Sequence, residues 1–177
     1  VSNGTAALDL CVKALGTNPG DKFITTPITF AASANCVKFN SGEVSFCDID
    51  RSTYLMDLNR LENMLSKAGR GYYKGVIPVD FAGLPVNLED LKTLAEKYNF
   101  KIIEDACHAP GGAFLDSKDV WQNCGNSVYA DLAIFSFHPV KHIAAGEGGM
   151  VTTNNKELFE KVKRLRSHGI TKDPDLL

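Results

Sequence analysis

The sequence predicts an α/β domain of three layers, in which a mostly parallel sheet carries helices on both faces. The chain has 177 residues, which suffices for one domain with a sizeable core. Hydrophobic residues make up 44% of it and charged residues 23%, as in ordinary globular proteins. Short apolar segments of strand length alternate along the chain with amphipathic segments of helix length. This alternation is typical of parallel strands joined by helices that cover the sheet.

Helices are predicted where apolar residues recur at helical spacing beside a capping or terminating residue. The first covers residues 5–15, and Gly16 ends it. Asparagine side chains are expected to cap the third and fourth helices, because asparagine can accept a hydrogen bond from a free N–H group of the first turn. The remaining predicted helices are residues 31–39, a segment capped by Asn59, a segment capped by Asn87, and residues 156–167.

Strands are predicted where short apolar runs are bounded by polar residues, glycine or proline. The predicted strands are residues 22–26, 44–47, 75–79, 101–103, 132–135 and 150–152. In sheets of this kind, ligands bind outside the carboxyl ends of the strands. The residues that directly follow each strand are therefore the candidates for a functional site.

The charge balance argues against two classes of partner. Nineteen basic and twenty-one acidic side chains leave a formal charge of −2. This balance offers no electrostatic reason to bind nucleic acid or an anionic membrane surface. No apolar run approaches the roughly 20 residues that span a bilayer. We therefore expect no nucleic-acid partner and no membrane insertion.

The five cysteines and the first residues bear on the cellular context. The cysteine count is odd and no C-x-x-C pair occurs, so neither a disulfide framework nor a cysteine zinc site is expected. Small buried cysteines in a reducing cytoplasm are the expected alternative. The chain begins with Val1 and lacks the pattern of a signal peptide, so we expect it to start inside a domain.

Two segments could supply parts of a binding site. Residues 2–7 read SNGTAA and lead into a helix, where exposed N–H groups and the helix dipole suit a phosphate. The same residue types are also ordinary helix caps. Residues 103–108 read IEDACH at the end of a strand. A carboxylate there can hold a ligand's cationic nitrogen and keep it protonated, or it can simply cap the following turn.

The third segment places a lysine after a strand. Residues 135–142 read FSFHPVKH, and the glycine-rich run GEGG follows at residues 146–149. A lysine desolvated near other cations has a lowered pKa and can form a Schiff base. A metal site at His138 and His142 is the competing interpretation. It is disfavoured because Pro139 breaks a shared helix face and the glutamate of the H-E-x-x-H motif is missing.

Together, the three segments resemble pyridoxal-phosphate enzymes of the aspartate-aminotransferase fold type, and most closely the DegT/DnrJ/EryC1/StrS sugar aminotransferases. The resemblance extends through nearly the whole chain. It is carried by SNGTAAL at residues 2–8, TPITF at 26–30, EDACH at 104–108 and SFHPVKHIAAGEGG at 136–149. The segments FHPVKHI at 137–143 and RSHGITKD at 166–173 look most like the branch that makes 4-amino sugars for pseudaminic acid.

The resemblance implies an incomplete protein. Residues 1–177 would be most of the large domain that binds pyridoxal 5'-phosphate. An N-terminal segment and a smaller C-terminal domain would be absent, and the complete protein would act as a homodimer. A folded but catalytically silent fragment is therefore one alternative for the chain as given.

The resemblance also implies a role for individual residues. Lys141 would form the Schiff base with the cofactor and later carry a proton between substrate and cofactor. Asp105 would keep the pyridine nitrogen protonated. Gly4, Thr5 and Ser136 would bind the phosphate.

Three further residues have less certain implied positions. Phe30 would stack on the cofactor ring, against the alternative of a core phenylalanine at the start of a helix. His108 would pack near the ring. Glu147 would shape the loop past the lysine, or only form a turn. No metal ion is expected.

The implied reaction moves an amino group from glutamate to the 4-keto carbon of a nucleotide-linked 6-deoxysugar, for bacterial surface glycans. A related group of enzymes has histidine at the lysine position and dehydrates its sugar, so Lys141 favours transamination. Two departures from the family pattern loosen the choice of substrate. They are VDFAG at residues 79–83, where many members have a histidine, and Ala144 with Ala145, where hydroxyl residues are common.

Overall fold

The computed structural model describes residues 1–170. Residues 171–173 of the RSHGITKD segment lie outside the described residues. The helices are α1 (Gly4–Ala14), α2 (Ala32–Phe39), α3 (Leu58–Ala68), α4 (Leu88–Tyr98) and α5 (Lys156–Leu165). The strands are β1 (Lys22–Thr25), β2 (Glu43–Phe46), β3 (Gly75–Ile77), β4 (Lys101–Asp105), β5 (Ala113–Leu115), β6 (Trp121–Asn123), β7 (Leu132–Ser136) and β8 (Gly149–Thr152).

The main sheet has six strands in the order β2-β1-β3-β4-β7-β8. The first five pair in parallel, and β8 runs antiparallel to β7 at the edge. The chain passes from β7 to β8 through residues 137–148, which contain no helix, and the two strands pair antiparallel. The predicted three-layer fold with a mostly parallel sheet is confirmed.

Alternating side chains of the central strands serve two separate cores. Phe23, Ile77 and Ile103 pack with α1, α2 and α5 on one face. Their chain neighbours, such as Ile24 and Ile102, pack with α3 and α4 on the other face. Because successive side chains of a strand point to opposite faces, this division follows directly from the pleat. Within residues 1–170, no helix combines the length and apolarity needed to cross a bilayer.

Two local predictions differ from the structure. Asp57 caps α3 instead of Asn59: its Oδ1 accepts hydrogen bonds from the N–H groups of Asn59 and Arg60 at 3.0 and 3.1 Å. The cap therefore lies two residues earlier, and Asn59 is already inside the helix. The hairpin of β5 and β6 was also not predicted, because its three-residue strands are too short for a clear apolar pattern. The Asn87 cap of α4 is confirmed.

Candidate active site

A cavity of about 290 Å³ lies where β4 and β7 end and α1 begins. This volume is near the lower end of the roughly 300–1,000 Å³ range of small-molecule sites. Its walls come from segments that are far apart in the chain. The structure brings all seven predicted binding and catalytic residues to this cavity: Gly4, Thr5, Phe30, Asp105, His108, Ser136 and Lys141.

The start of α1 forms one wall of the cavity. Asn3 caps the helix, its Oδ1 accepting a hydrogen bond from Ala6 N–H at 2.9 Å. Gly4 is packed so closely that a Cβ atom there would lie 2.9 Å from Ser136 Cβ. Only glycine therefore lets the helix start meet the end of β7. The first N–H groups of a helix, with the positive end of its dipole, are suited to an anion such as phosphate.

Asp105 is the last residue of β4 and is only 4% exposed. Its Oδ2 accepts a hydrogen bond from Ser33 Oγ at 2.8 Å, and its Oδ1 accepts one from Cys107 N–H at 3.2 Å. Thr29 Oγ1 lies 2.7 Å from the same Ser33 hydroxyl. These contacts orient the carboxylate at the cavity while leaving it acceptor capacity. It can therefore receive a proton-bearing nitrogen from a ligand.

Ser136 and Lys141 come from β7 and the loop that follows it. Ser136 is buried, and its Oγ accepts a hydrogen bond from His138 N–H at 3.4 Å. The backbone N–H of Lys141 donates to His138 O at 2.8 Å, which closes a turn around Pro139. The Lys141 side chain is half-buried and lines the cavity. An amine is thereby placed in the same cavity as the Asp105 carboxylate.

His108 is held by the turn at residues 80–83. Its Nδ1 accepts a hydrogen bond from Ala82 N–H at 3.3 Å, so the neutral ring carries its proton on Nε2. Phe81 packs against the ring, with centroids 6.0 Å apart. Burial lowers the pKa of His108, and the nearby Lys141 ammonium lowers it further. The imidazole is therefore uncharged near neutral pH.

Phe30 stands at the mouth of the cavity and not in the core. Its side chain is 74% exposed although it precedes a buried helix face. The alternative of a core phenylalanine at this position is therefore wrong. An exposed aromatic ring beside a cavity offers a flat apolar face to a planar ligand. Glu147 is exposed and lines the same cavity.

The donor set of the cavity fits pyridoxal phosphate. The start of α1 suits the phosphate, and the buried carboxylate suits the ring nitrogen. The amine of Lys141 suits the aldehyde. Gly4 lines the cavity and has no side chain that would cover its backbone N–H group. The two histidines of the alternative metal site make separate contacts, His138 with Val140 N–H and His142 with Pro110 O.

Several residues around the cavity were not predicted from the sequence. Ser33 bonds Asp105, Thr29 bonds Ser33, and Cys107 lines the cavity beside Asp105. The available signal was Ser33 itself, a hydroxyl on the otherwise apolar buried face of α2. A buried hydroxyl needs a hydrogen-bond partner, and that partner lies 72 residues away in sequence.

Comparison with known proteins identifies the family. The profile of the DegT/DnrJ/EryC1/StrS aminotransferase family matches residues 1–176. The chain belongs to this family. The resemblance seen in the sequence is thus confirmed over almost its whole length.

Individual relatives agree with this membership. The chain is 43% identical over 173 residues to UDP-4-amino-4,6-dideoxy-N-acetyl-beta-L-altrosamine transaminase of Campylobacter jejuni, covering 97% of this chain and 43% of the relative. A DegT DnrJ EryC1 StrS aminotransferase from Brucella abortus superposes with a TM-score of 0.86 at 32% identity, covering 97% of this chain and 45% of that one.

A third relative is NtdA of Bacillus subtilis, solved with bound cofactor PMP. It superposes with a TM-score of 0.82 at 31% identity, covering 97% of this chain and 37% of NtdA. The chain spans less than half the length of the curated relatives it matches.

Proposed function

We propose that the cavity binds pyridoxal 5'-phosphate and that the full-length protein is a nucleotide-sugar aminotransferase. One observation carries the proposal: a helix start, a buried carboxylate and a lysine amine line the same cavity. The family membership and the PMP in NtdA support the choice of cofactor. When bound, pyridoxal phosphate supplies a carbonyl carbon that takes up amines and a ring that accepts electrons.

The residues of the cavity then have distinct tasks. Gly4 and Thr5 N–H groups, with the Thr5 and Ser136 hydroxyls, bind the phosphate oxygens. Asp105 holds the proton on the ring nitrogen through its negative charge, and Ser33 keeps the carboxylate in place. Phe30 covers one ring face and excludes water from it. Because His108 is neutral, it packs near the ring without adding a charge.

Lys141 is the proposed catalytic base and the covalent attachment point. Its Nζ would hold the cofactor through the aldehyde carbon, and the free amine would carry a proton to and from the substrate carbon. Histidine could carry a proton but could not form the covalent attachment. Lys141 therefore favours transamination over the dehydration carried out by relatives with histidine at this position.

For the substrates, we propose glutamate as amino donor and the 4-keto carbon of a nucleotide-linked 6-deoxysugar as acceptor. The name of the Campylobacter jejuni relative, a transaminase of a UDP-linked amino sugar, supports this choice at 43% identity. We also propose a role in making pseudaminic-acid precursors for a surface glycan, on the strength of the segments FHPVKHI and RSHGITKD.

The proposal includes the architecture of the complete protein. Residues 1–177 form most of the cofactor-binding domain. An N-terminal segment and a small C-terminal domain complete the protein. The coverage of 43% of the relative supports this division. We further propose a homodimer in the cytoplasm. The five cysteines are all unpaired, as expected in a reducing compartment.

The deciding experiment follows the amino group. The full-length protein is incubated with pyridoxal phosphate, a nucleotide-linked 4-keto-6-deoxysugar and glutamate carrying ¹⁵N in its amino group. We expect ¹⁵N at C4 of the sugar and one 2-oxoglutarate formed for each amino sugar. A deoxygenated sugar without label would assign the protein to the dehydratases. The 177-residue chain is tested in parallel for the absorbance of bound pyridoxal phosphate, which an empty cavity would lack.

A further inference from the structure

A second cluster of titratable side chains lies on the opposite face of β4 from the cavity. Asp80, Glu104 and Cys124 are buried, and one polar atom of each lies within 4.8 Å of the others. Successive side chains of a strand point to opposite faces, so Glu104 points away from the cavity that Asp105 lines. No task in the proposed reaction uses this cluster.

In each carboxyl group of the cluster, one oxygen accepts a hydrogen bond and the other has no partner. Asp80 Oδ1 accepts a hydrogen bond from Val86 N–H, and Glu104 Oε1 accepts one from Gly125 N–H, both at 2.9 Å. Asp80 Oδ2 and Glu104 Oε2 are buried without a partner. Both residues are 0% exposed. A buried polar atom without a partner is costly, and one hydrogen held between the two carboxyl groups would satisfy both of these oxygens.

No basic side chain within residues 1–170 neutralises the cluster. Within residues 1–170, neither carboxyl forms an ion pair with lysine, arginine or histidine. The other titratable groups that act on the two carboxyls are the neighbouring Cys124 thiol and, from the opposite face of β4, the Asp105 carboxylate. Burial raises the pKa of Glu104 far above its usual range, and the charge of Asp80 raises it further. Burial likewise raises the pKa of Asp80.

We propose that Asp80 and Glu104 share one proton between Asp80 Oδ2 and Glu104 Oε2, and that this pair positions His108. The proton joins two carboxyl groups that would otherwise repel each other in a dry surrounding. It leaves one negative charge on the pair, which the N–H groups of Val86 and Gly125 stabilise. The Cys124 thiol stays neutral because burial raises its pKa.

The link to His108 runs through the backbone. Asp80 is the residue from which the turn at 80–83 begins, and Ala82 in that turn donates to His108 Nδ1. Ala82 has a φ of 54°, in the left-handed region that L-residues rarely adopt. A turn with this strain persists only when its surroundings hold it. The carboxyl pair holds one end, so Asp80 and Glu104 are positioning residues for His108.

The shared proton is tested by infrared spectroscopy of the full-length protein without cofactor. At pH 7 in D₂O, wild type should show the C=O stretch of one buried protonated carboxyl group, and Glu104→Gln should lack it. Asp80→Asn should lack this band as well. In either variant the new amide NH₂ group donates a hydrogen bond to the remaining carboxylate, which then needs no shared proton. Asp116→Asn, which removes another buried acid, should retain the band. Absence of the band from wild type would overturn the shared proton.

The positioning of His108 is tested by ¹⁵N NMR of protein labelled at histidine, with His108→Gln to assign the signal. Wild type and Glu104→Gln should both show His108 with its proton on Nε2. Glu104→Leu removes the hydrogen-bonding group and should lose this signature. An unchanged His108 signal in a folded Glu104→Leu variant would overturn the positioning role. Neither readout depends on the proposed aminotransferase activity.

A metal ion is the other occupant that such a cluster could hold. Zinc is offered to the metal-free protein, and the bound metal is counted after dialysis. We expect that neither Glu104→Gln nor Cys124→Ser lowers the amount of zinc that the protein retains. One equivalent of zinc that is lost in both variants would replace the proton by a metal and overturn the proposal.

Discussion

Asp105 at the cavity and Asp116 at the hairpin of β5 and β6 are nearly equally buried, at 4% and 7% exposure. Asp116 accepts hydrogen bonds from Val120 N–H, Lys118 N–H, Gln122 Nε2 and Tyr129 OH at 2.7–3.0 Å. Among residues 1–170, only Ser33 and Cys107 donate hydrogen bonds to the Asp105 side chain, and Asp105 lines a cavity. Burial alone therefore does not distinguish a structural carboxylate from a functional one. The acceptor capacity that the carboxylate retains for a ligand does distinguish them.

The surroundings repeat this contrast. The hairpin has its own lysine and exposed aromatic side chain, Lys118 and Trp121, as the cavity has Lys141 and Phe30. At the hairpin these side chains lie on an open surface. At the cavity they converge with a carboxylate and a helix start. The two regions thus provide matched pairs of substitutions that separate residue type from placement.

The lysine pair should show the largest difference. In the full-length protein, borohydride reduction after addition of pyridoxal phosphate should label Lys141, and Lys141→Ala should abolish both the label and transamination, by at least about 10³-fold. Lys118→Ala should change neither. Peptide mapping by mass spectrometry locates the label. A label found chiefly on Lys118, Lys13 or Lys163 would contradict the assignment.

The aspartate pair should differ by orders of magnitude in turnover. Asp105→Asn removes the charge that holds the ring proton while nearly preserving shape, so turnover should fall by at least about 10²-fold although Lys141 can still be labelled. Asp116→Asn should keep near-normal turnover at neutral pH. Steady-state rates with glutamate and sugar measure both. Equal turnover in the two variants would mean that Asp105 only caps its loop.

The aromatic pair should show a smaller effect on affinity. Phe30→Ala should weaken the binding of pyridoxal phosphate by roughly 2- to 10-fold, the range that an aromatic contact contributes beyond burial. Trp121→Ala should leave the affinity unchanged, although the Trp121 ring is 68% exposed and thus nearly as accessible as Phe30. Titration followed by absorbance measures each dissociation constant. Similar losses in both variants would point to a general loss of stability.

The weakest expected effect is the pH dependence of stability at the hairpin. Hydrogen bonds, first of all from Val120 N–H, lower the pKa of Asp116 to about 2 in the folded protein, against about 3.9 in an unfolded chain. Its contribution is therefore present above about pH 4 and lost as the pH falls through 2. Asp116→Asn should lower Tm at pH 6, and the difference from wild type should shrink toward pH 2. A constant difference would contradict the assignment.

The sequence by itself determined the fold class and the edge of the sheet at which the site lies. Apolar periodicity is local, and parallel strands necessarily bring their carboxyl ends to one edge, so residues as distant as Asp105 and Ser136 could be expected together. The Asn87 cap was predictable for the same local reason. The cap of α3 was predicted wrongly as Asn59, because Asp57 could serve equally well and only the start of the helix decides between them.

Only the tertiary structure decided which side chains satisfy one another. Ser33 reaches Asp105 across 72 residues, and Asp80 meets Glu104 because β3 and β4 are neighbours in the sheet. Periodicity assigns a side chain to a face but does not say which partner it meets there. Hydrogen bonds require atoms within about 3 Å. That precision comes from the packing of helices against the sheet, which depends on the whole chain at once.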